Sequence, residues 1–239
     1  MNLVVVIAAY NERDNIERLT LRLVNVLRTL RGWNWEIIYV VDGADGTREI
    51  VQRLSADFHP IRLSYQAEPD GLANAFRRGF ALVPPDSDFV VTMDADLNHQ
   101  PEEIPRLLQT IIETGSDILV GSRFVRGSRI NGMPLWKRAV SRSVNLFMGV
   151  LFDLNIHDKT SGFRVYKAGA LRSIAFDSSG FAFLPEMLLR GAVAGLSISE
   201  EPIHFIYRVY GASKMNLWKT SKSYLSLLYK HRRTRSARR

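Results

Sequence analysis

The sequence predicts an α/β protein, with a mostly parallel, Rossmann-like sheet flanked by helices. Two observations predict it. Short apolar runs rich in Val and Ile alternate with segments whose apolar residues recur at helical spacing, and several runs end in loops of Asp, Asn or Gly. Such alternation builds parallel strands with crossover helices on both faces, and it gathers the ligand-binding loops outside the carboxyl ends of the strands. With 239 residues, 46% hydrophobic and 23% charged, the chain can bury one substantial core and lies far from disordered compositions.

Residues 3–9 read as a buried strand rather than a secretion leader, because no basic segment precedes them. A helix over 12–31 follows, with Ile16, Leu19, Leu23, Val26, Leu27 and Leu30 on one side. Asn11 suits its cap, Glu12 and Asp14 its positive end, and Gly32 its stop. Strand 36–41, helix 47–58, strand 61–65, helix 72–83 and strand 89–93 continue the alternation, with Pro84 and Pro85 turning the chain before the last of these. A helix over 102–114 and a strand over 118–120 close a sheet-building half that ends near residue 122.

Beyond it come a basic stretch over 123–132, a helix over 135–152, a strand near 162–166 and a helix near 184–194. A strand near 198–206 and a helix over 217–229 complete the series. This organisation is one domain over 1–215, in halves 1–122 and 123–215, followed by a C-terminal helix and basic tail over 216–239.

The chain has no cysteine, which excludes disulfides, thiolate metal sites and a cysteine nucleophile. The longest later apolar run, 146–152, falls far short of the roughly 20 residues of a membrane span. A net charge of +8, with six of the last ten residues basic, favours an anionic partner: nucleic acid, a lipid surface or a phosphorylated substrate. No nucleic-acid recognition motif is present, so no nucleic-acid partner is expected. The 135–152 segment places Lys137, Arg138 and Arg142 before Val144, Leu146, Phe147, Val150, Leu151 and Phe152. That pattern suits either a short interfacial helix or a helix packed on the core.

The most informative constellation is Asp94-Ala-Asp96, delivered to the exit of an apolar strand. Two carboxylates so spaced can direct oxygens at one hard cation, Mg²⁺ or Mn²⁺, which neutralises a diphosphate leaving group. Alone the pair is a weak signal; Tyr10-Asn-Glu12, Asp42 and Gly121-Ser-Arg123 follow other strands and converge on the same edge. His99 reads as a residue facing solvent or bonded to its loop rather than as a metal ligand. Glu186, in Phe183-Leu-Pro-Glu-Met, is either a general base for a hydroxyl acceptor or a carboxylate that favours a helix start.

Taken in order, the motifs resemble the inverting family 2 glycosyltransferases of GT-A fold, and among them the polyprenyl-phosphate (dolichol-phosphate) mannose synthases. The resemblance covers about residues 3–214 and rests on Ala9-Tyr-Asn-Glu-Arg13, Val40-Val-Asp-Gly-Ala-Asp-Gly-Thr47 and Met93-Asp-Ala-Asp-Leu-Asn-His99. Gly121-Ser-Arg123, Asp158-Lys-Thr-Ser-Gly-Phe-Arg164 and Arg208-Val-Tyr-Gly-Ala-Ser-Lys214 complete it.

It implies that Ala8, Tyr10, Glu12 and Asp42 bind the nucleotide, and that Asp94, Asp96 and Asn98 surround the metal and diphosphate. Arg123, Lys137, Arg138, Ser141, Arg208 and Lys214 then meet donor or acceptor phosphates, with Asp94, Asp96 and Arg123 as the catalytic set. Residues 1–122 become the nucleotide-sugar half and 123–215 the acceptor half. The implied reaction moves a hexose, mannose from GDP-mannose, onto a polyprenyl or dolichyl phosphate with inversion. It takes place at the cytosolic face of a membrane, where the protein is cytoplasmic and peripheral, with or without an anchoring subunit.

Ala8 stands where the family has proline, and the Asp42 loop is shorter than the family's, so a UDP-sugar donor with a hydroxyl acceptor stays open. So does a non-catalytic nucleotide-sugar binding subunit of a membrane complex. A lipid phosphate is already ionised near neutral pH and needs no base, which favours the phosphate acceptor.

Overall fold

The computed structural model describes residues 1–207. Arg208, Lys214, the helix expected over 217–229 and the basic tail lie outside the described residues.

The strands are β1 (Asn2–Tyr10), β2 (Asn34–Asp42), β3 (Ile61–Gln66), β4 (Phe89–Asp94), β5 (Ile118–Ser122), β6 (Arg129–Asn131), β7 (Arg164–Lys167), β8 (Ile198–Pro202) and β9 (His204–Ile206). The helices are α1 (Arg13–Leu27), α2 (Thr47–Asp57), α3 (Leu72–Ala81), α4 (Ile104–Thr114), α5 (Leu135–Phe152), α6 (Ala168–Ser173) and α7 (Phe183–Val193). Seven strands form one sheet in the order β3-β2-β1-β4-β7-β5-β8, parallel except for β7, while β6 and β9 pair apart from it.

Strand alternation divides the core between the two faces of this sheet. Leu3, Val5, Ile7 and Ala9 of β1 join Ile16, Leu19 and Leu23 of α1, Val51 of α2 and Leu107 and Ile111 of α4. Val4 and Val6 face the other way, onto Phe76 of α3, Met148 of α5, Leu171 of α6 and Met187 of α7. The result is a three-layer α/β/α body. Truncating a fully enclosed leucine such as Leu23 to alanine costs about 2–5 kcal/mol here, because a packed interior closes only partly over the gap.

Three expectations change. The sheet does not end near residue 122: β7 enters between β4 and β5, antiparallel to both, and β8 adds an edge beyond β5. The single strand expected near 198–206 is two, since Pro202 ends β8 and the chain crosses to the small sheet. Asn11 does not cap α1; it takes a left-handed conformation with φ 53°, and Glu12 stands at the helix start.

Candidate active site

Parallel register fixes which residues meet at the carboxyl edge. Tyr10 lies opposite Asp42 across β1 and β2, and Ala8 lies opposite Asp94 across β1 and β4. Tyr10, the last residue of β1, is 43% exposed and leaves its ring on the surface of this edge. The Glu12 backbone N–H donates to Thr47 Oγ1 at 2.9 Å, and its carboxylate accepts from Asn15 Nδ2 at 2.8 Å, which ties the first loop to α2. Asp45 accepts from both the N–H and the hydroxyl of Thr47, so it holds the start of α2. Gly43 has φ +96° and its position for a β-carbon is filled by the Asn11 side chain, so the two loops interlock there.

Asp42 is buried and bonded to Arg78 of α3. Burial raises its carboxyl above the ordinary range and Asp70 adds to this, while the Arg78 charge opposes both.

At the end of β4, Asp94 is 37% exposed and Asp96 is buried. Asp96 accepts from the Asn98 backbone at 3.1 Å and from Asn98 Nδ2 at 2.8 Å, a tight turn that aims the carboxylate. The Asn98 carbonyl Oδ1 is buried without a hydrogen-bond partner. An oxygen left so in the loop that holds the Asp96 carboxylate fits a hard, oxygen-seeking cation. Among the described residues no three His, Asp or Glu side chains form a ready-made metal cluster.

His99 is buried, stacked on Phe163 at 5.1 Å, and accepts the Asp94 backbone N–H at Nδ1, 3.3 Å. Burial pushes its pKa down to about 4, so the ring is neutral near pH 7 and the 3.7 Å approach of Asp94 Oδ2 is no ion pair. It is a loop residue, as expected, but an enclosed one.

Arg123, just past β5, is gripped by buried Asp158 through Nε–Oδ2 and Nη2–Oδ1, both 2.7 Å, and donates to Thr160 Oγ1 at 2.8 Å. Its guanidinium also lies over Phe205 at 5.3 Å, the ring that meets His99 edge-on at 5.8 Å. This brings Arg123 into the neighbourhood of the Asp96 loop. The 158–162 segment that holds it is fixed by buried Arg164, which donates to the carbonyls of Ser161 and Lys159, both at 2.8 Å. Gly162 closes on Asp94: a β-carbon there would stand 3.1 Å from Asp94 Oδ1.

Asn145, enclosed on the inner face of α5, donates to the Ser141 carbonyl and to Thr160 Oγ1 and so ties α5 to the same segment. Phe124 lies between the Arg123 and Arg142 guanidinium groups, at 5.2 and 5.6 Å. Lys137 donates to the Tyr207 hydroxyl at 2.5 Å and stands over the Trp136 and Tyr207 rings. Arg138 lies in the first turn of α5, half-buried.

Glu186 is fully enclosed. It accepts from the Ser178 backbone N–H at 2.7 Å and from Arg190 Nε at 2.8 Å. Burial works to raise its pKa, but the Ser178 and Asp177 bonds and the Arg190 charge hold it below the usual glutamate range. A carboxylate so sealed and so acidic fits the helix-start reading rather than that of a general base.

Arg78 and Asn145 were missed from the sequence, and Asp158, Thr160 and Gly162, though part of the 158–164 motif, were given no role. Asn145 carried a signal of its own, an amide within an otherwise apolar helical stretch.

The chain matches the Glycosyl transferase family 2 over residues 4–175. It belongs to that family. A dolichol-phosphate mannosyltransferase of Pyrococcus furiosus is 34% identical over 96% of this chain, which spans 63% of that protein's length. An undecaprenyl-phosphate mannosyltransferase of Micrococcus luteus is also 34% identical, over 90% of this family 2 chain and 88% of the relative. A polyprenol monophosphomannose synthase of Mycolicibacterium smegmatis is 34% identical over 89% and 80% of the two chains. Glucosyl-3-phosphoglycerate synthase from Mycobacterium tuberculosis, solved with Mn²⁺, UDP and glucosyl-3-phosphoglycerate, superposes with a TM-score of 0.68 at 17% identity. That superposition covers 95% of this chain and 77% of the other. The family 2 chain thus has the GT-A fold, and no helix among its described residues is long and apolar enough to cross a membrane.

Proposed function

We propose that this family 2 glycosyltransferase moves mannose from GDP-mannose to a polyprenyl or dolichyl phosphate with inversion. The observation that carries the substrate class is the 34% identity, over most of the chain, to three relatives named for mannosyl transfer to lipid phosphates. In this reading residues 1–122 bind the donor through Ala8, Tyr10, Glu12 and Asp42. Residues 123–215 meet the acceptor through Arg123, Lys137, Arg138 and Ser141, joined by Arg208 and Lys214. The 216–239 tail and α5 lie against the cytosolic face of a membrane, alone or with an anchoring subunit.

A phosphate oxygen of the acceptor attacks the anomeric carbon from the side opposite the diphosphate. The bond from that carbon to the diphosphate oxygen breaks, its electron pair leaves with GDP, and the configuration inverts. No proton has to be removed from the nucleophile, so no base is required. Two anions must instead be held together, and the Arg123 guanidinium, pre-oriented by Asp158, is suited to that. Mg²⁺ or Mn²⁺ at Asp94, Asp96 and Asn98, when bound, supplies the charge that stabilises the departing diphosphate.

The test is transfer of labelled sugar by the purified full-length chain, offered GDP- and UDP-sugars with each metal and a polyprenyl phosphate. Metal-dependent label from GDP-mannose in the organic phase, absent in Asp96→Ala, is the expected result. Label from a UDP-sugar, or onto a hydroxyl acceptor alone, would replace this reading with the other donor class.

A further inference from the structure

Arg78 is a cation of the donor half for which the sequence offered no role. It precedes Gly79, where α3 lies so close to the sheet that a β-carbon would fall 2.5 Å from Val6 Cγ1 and 3.0 Å from Val40 Cγ2. That close approach lowers the helix onto β1 and β2 and brings Arg78 to the end of β2. There Nη2 donates to Asp42 Oδ1, and Nη1 donates at 2.6 Å to Asp70 Oδ1, in the segment ahead of α3. The Nε of the same guanidinium is sealed from solvent with no hydrogen-bond partner. A buried donor left unmet costs stability, and a partly buried ion pair is weak grounds for a purely stabilising role. What the arrangement does achieve is to fix one buried carboxylate directly opposite Tyr10, whose exposed ring offers a face on which a planar base can stack.

We propose that Arg78 is a positioning and specificity residue for the nucleobase of the donor. By gripping Asp42 Oδ1, it holds the carboxylate in place as a hydrogen-bond acceptor and so selects guanine or uracil over adenine and cytosine. The proposal rests on the reading above that Asp42 meets the nucleoside. Guanine presents N1–H beside its 2-amino group, two donors that one carboxylate can accept together, and uracil presents N3–H. Adenine N1 and cytosine N3 are acceptors at the corresponding place and would leave the buried carboxylate facing a lone pair. Burial and the neighbouring Asp70 both press Asp42 toward its protonated form, and Arg78 is the charge that resists them. A protonated Asp42 could donate to adenine or cytosine, so loss of Arg78 should relax discrimination as well as weaken binding.

The experiment measures equilibrium binding of GDP, UDP, ADP and CDP to the full-length chain with Mn²⁺, and uses Mn²⁺-pyrophosphate as a probe that carries no base. In Arg78→Met the favoured nucleotide should lose about tenfold or more in affinity, with its margin over ADP and CDP reduced by a similar factor. Pyrophosphate binding should stay within about twofold of the parent, because the role proposed for Arg78 is confined to the base. Arg78→Lys should recover part of the margin, since it restores charge without the planar fork. An unchanged margin in Arg78→Met, or equal losses for nucleotide and pyrophosphate, would overturn the proposal. If Arg78→Met does not fold, Arg78→Gln takes its place, with the same outcomes for and against. Asp42→Asn separates the two readings. If it too leaves the margin intact, Asp42 does not read the base; if it alone collapses the margin, only the role given to Arg78 fails.

Discussion

The Arg123 guanidinium and the Asp158 carboxylate face each other in a two-bond fork, both contacts at 2.7 Å, and the Arg123 backbone N–H adds a third at 3.0 Å. The arginine therefore reaches the sheet edge already oriented, with its chain and its side chain held by the same buried group. Burial works to raise the Asp158 pKa, but the Arg123 charge and its bonds outweigh this and hold it below 3.8.

Asp158→Asn keeps the shape and removes the charge. Breaking a buried pair of this kind costs about 3–5 kcal/mol of stability. The sign with pH follows from the lowered value: the carboxylate's contribution is present above 3.8 and is lost as pH falls through the folded-state pKa. Urea denaturation from pH 7 downward should show the parent losing stability below pH 3.8 more steeply than the variant. Transfer at neutral pH should fall about 100-fold, chiefly in kcat, because the freed guanidinium is no longer pre-oriented. Parent-like kcat in a folded variant would show that the fork is only structural.

Gly162 stands against the exposed carboxylate of the pair. Its β-carbon position is 3.1 Å from Asp94 Oδ1, tight enough that Gly162→Ala must displace the carboxylate by a few tenths of an ångström. Since Asp94 is partly exposed and can move, stability should change by less than about 1 kcal/mol. The Mn²⁺ concentration for half-maximal transfer should rise about tenfold, because a displaced Asp94 carboxylate no longer meets the ion proposed to lie there. Activity measured across a metal titration, alongside a thermal melt, separates the two effects; an unshifted titration would mean that Asp94 does not touch the ion.

The parallel half of the fold was legible because each of its strands carries its own apolar run and each run ends in a loop with a purpose. Val4 and Val5 point to opposite faces, and both faces are covered, which is why residues 3–9 read as uninterrupted hydrophobicity. β7 was legible as a strand but not as an insertion. Its four residues give no sign of direction, and pairing with β4 and β5 is a long-range fact. The same holds for the site. Asp94, Asp96 and Arg123 announce themselves by following strands, whereas the ties of Asp158 to Arg123 and of Arg78 to Asp42 span 35 and 36 residues.

Glu186 distinguishes the acceptor classes. Sealed and bonded to Arg190 and Ser178, it stabilises the entry to α7 and is too acidic to take a proton efficiently near neutral pH. Glu186→Gln should lower stability by about 2–4 kcal/mol, by leaving Arg190 and two backbone donors with a neutral partner. In protein that remains folded, kcat for transfer to a lipid phosphate should stay within about threefold of the parent. A fall of about 100-fold or more with intact folding would restore the general-base role and with it a hydroxyl acceptor.

The two sides of α5 face different surroundings. Met148 and Phe152 turn into the core, as core packing required, yet Leu146, Phe147 and Val150 are 71%, 55% and 62% exposed on the opposite side. Leu135, Trp136 and Val140 continue that stripe toward the basic start of the helix. An apolar stripe beside Lys137, Arg138 and Arg142 is the form of a helix that lies in a lipid headgroup layer. Each large side chain that enters the acyl boundary contributes about 1.5–3 kcal/mol, against about 1 kcal/mol for each basic residue at an anionic surface. Replacing Leu146, Phe147 and Val150 together with serine should cut co-sedimentation with vesicles by about 100-fold or more, and should leave stability little changed because the three are already exposed. The charge term fades in salt and the apolar term does not, so the deficit should persist in uncharged phosphatidylcholine vesicles and at high ionic strength. Transfer to a long-chain polyprenyl phosphate in vesicles should fall with binding, while transfer to a short, water-soluble phosphate should remain. If the serine variant sediments like the parent in uncharged vesicles, the α5 stripe is not the lipid contact.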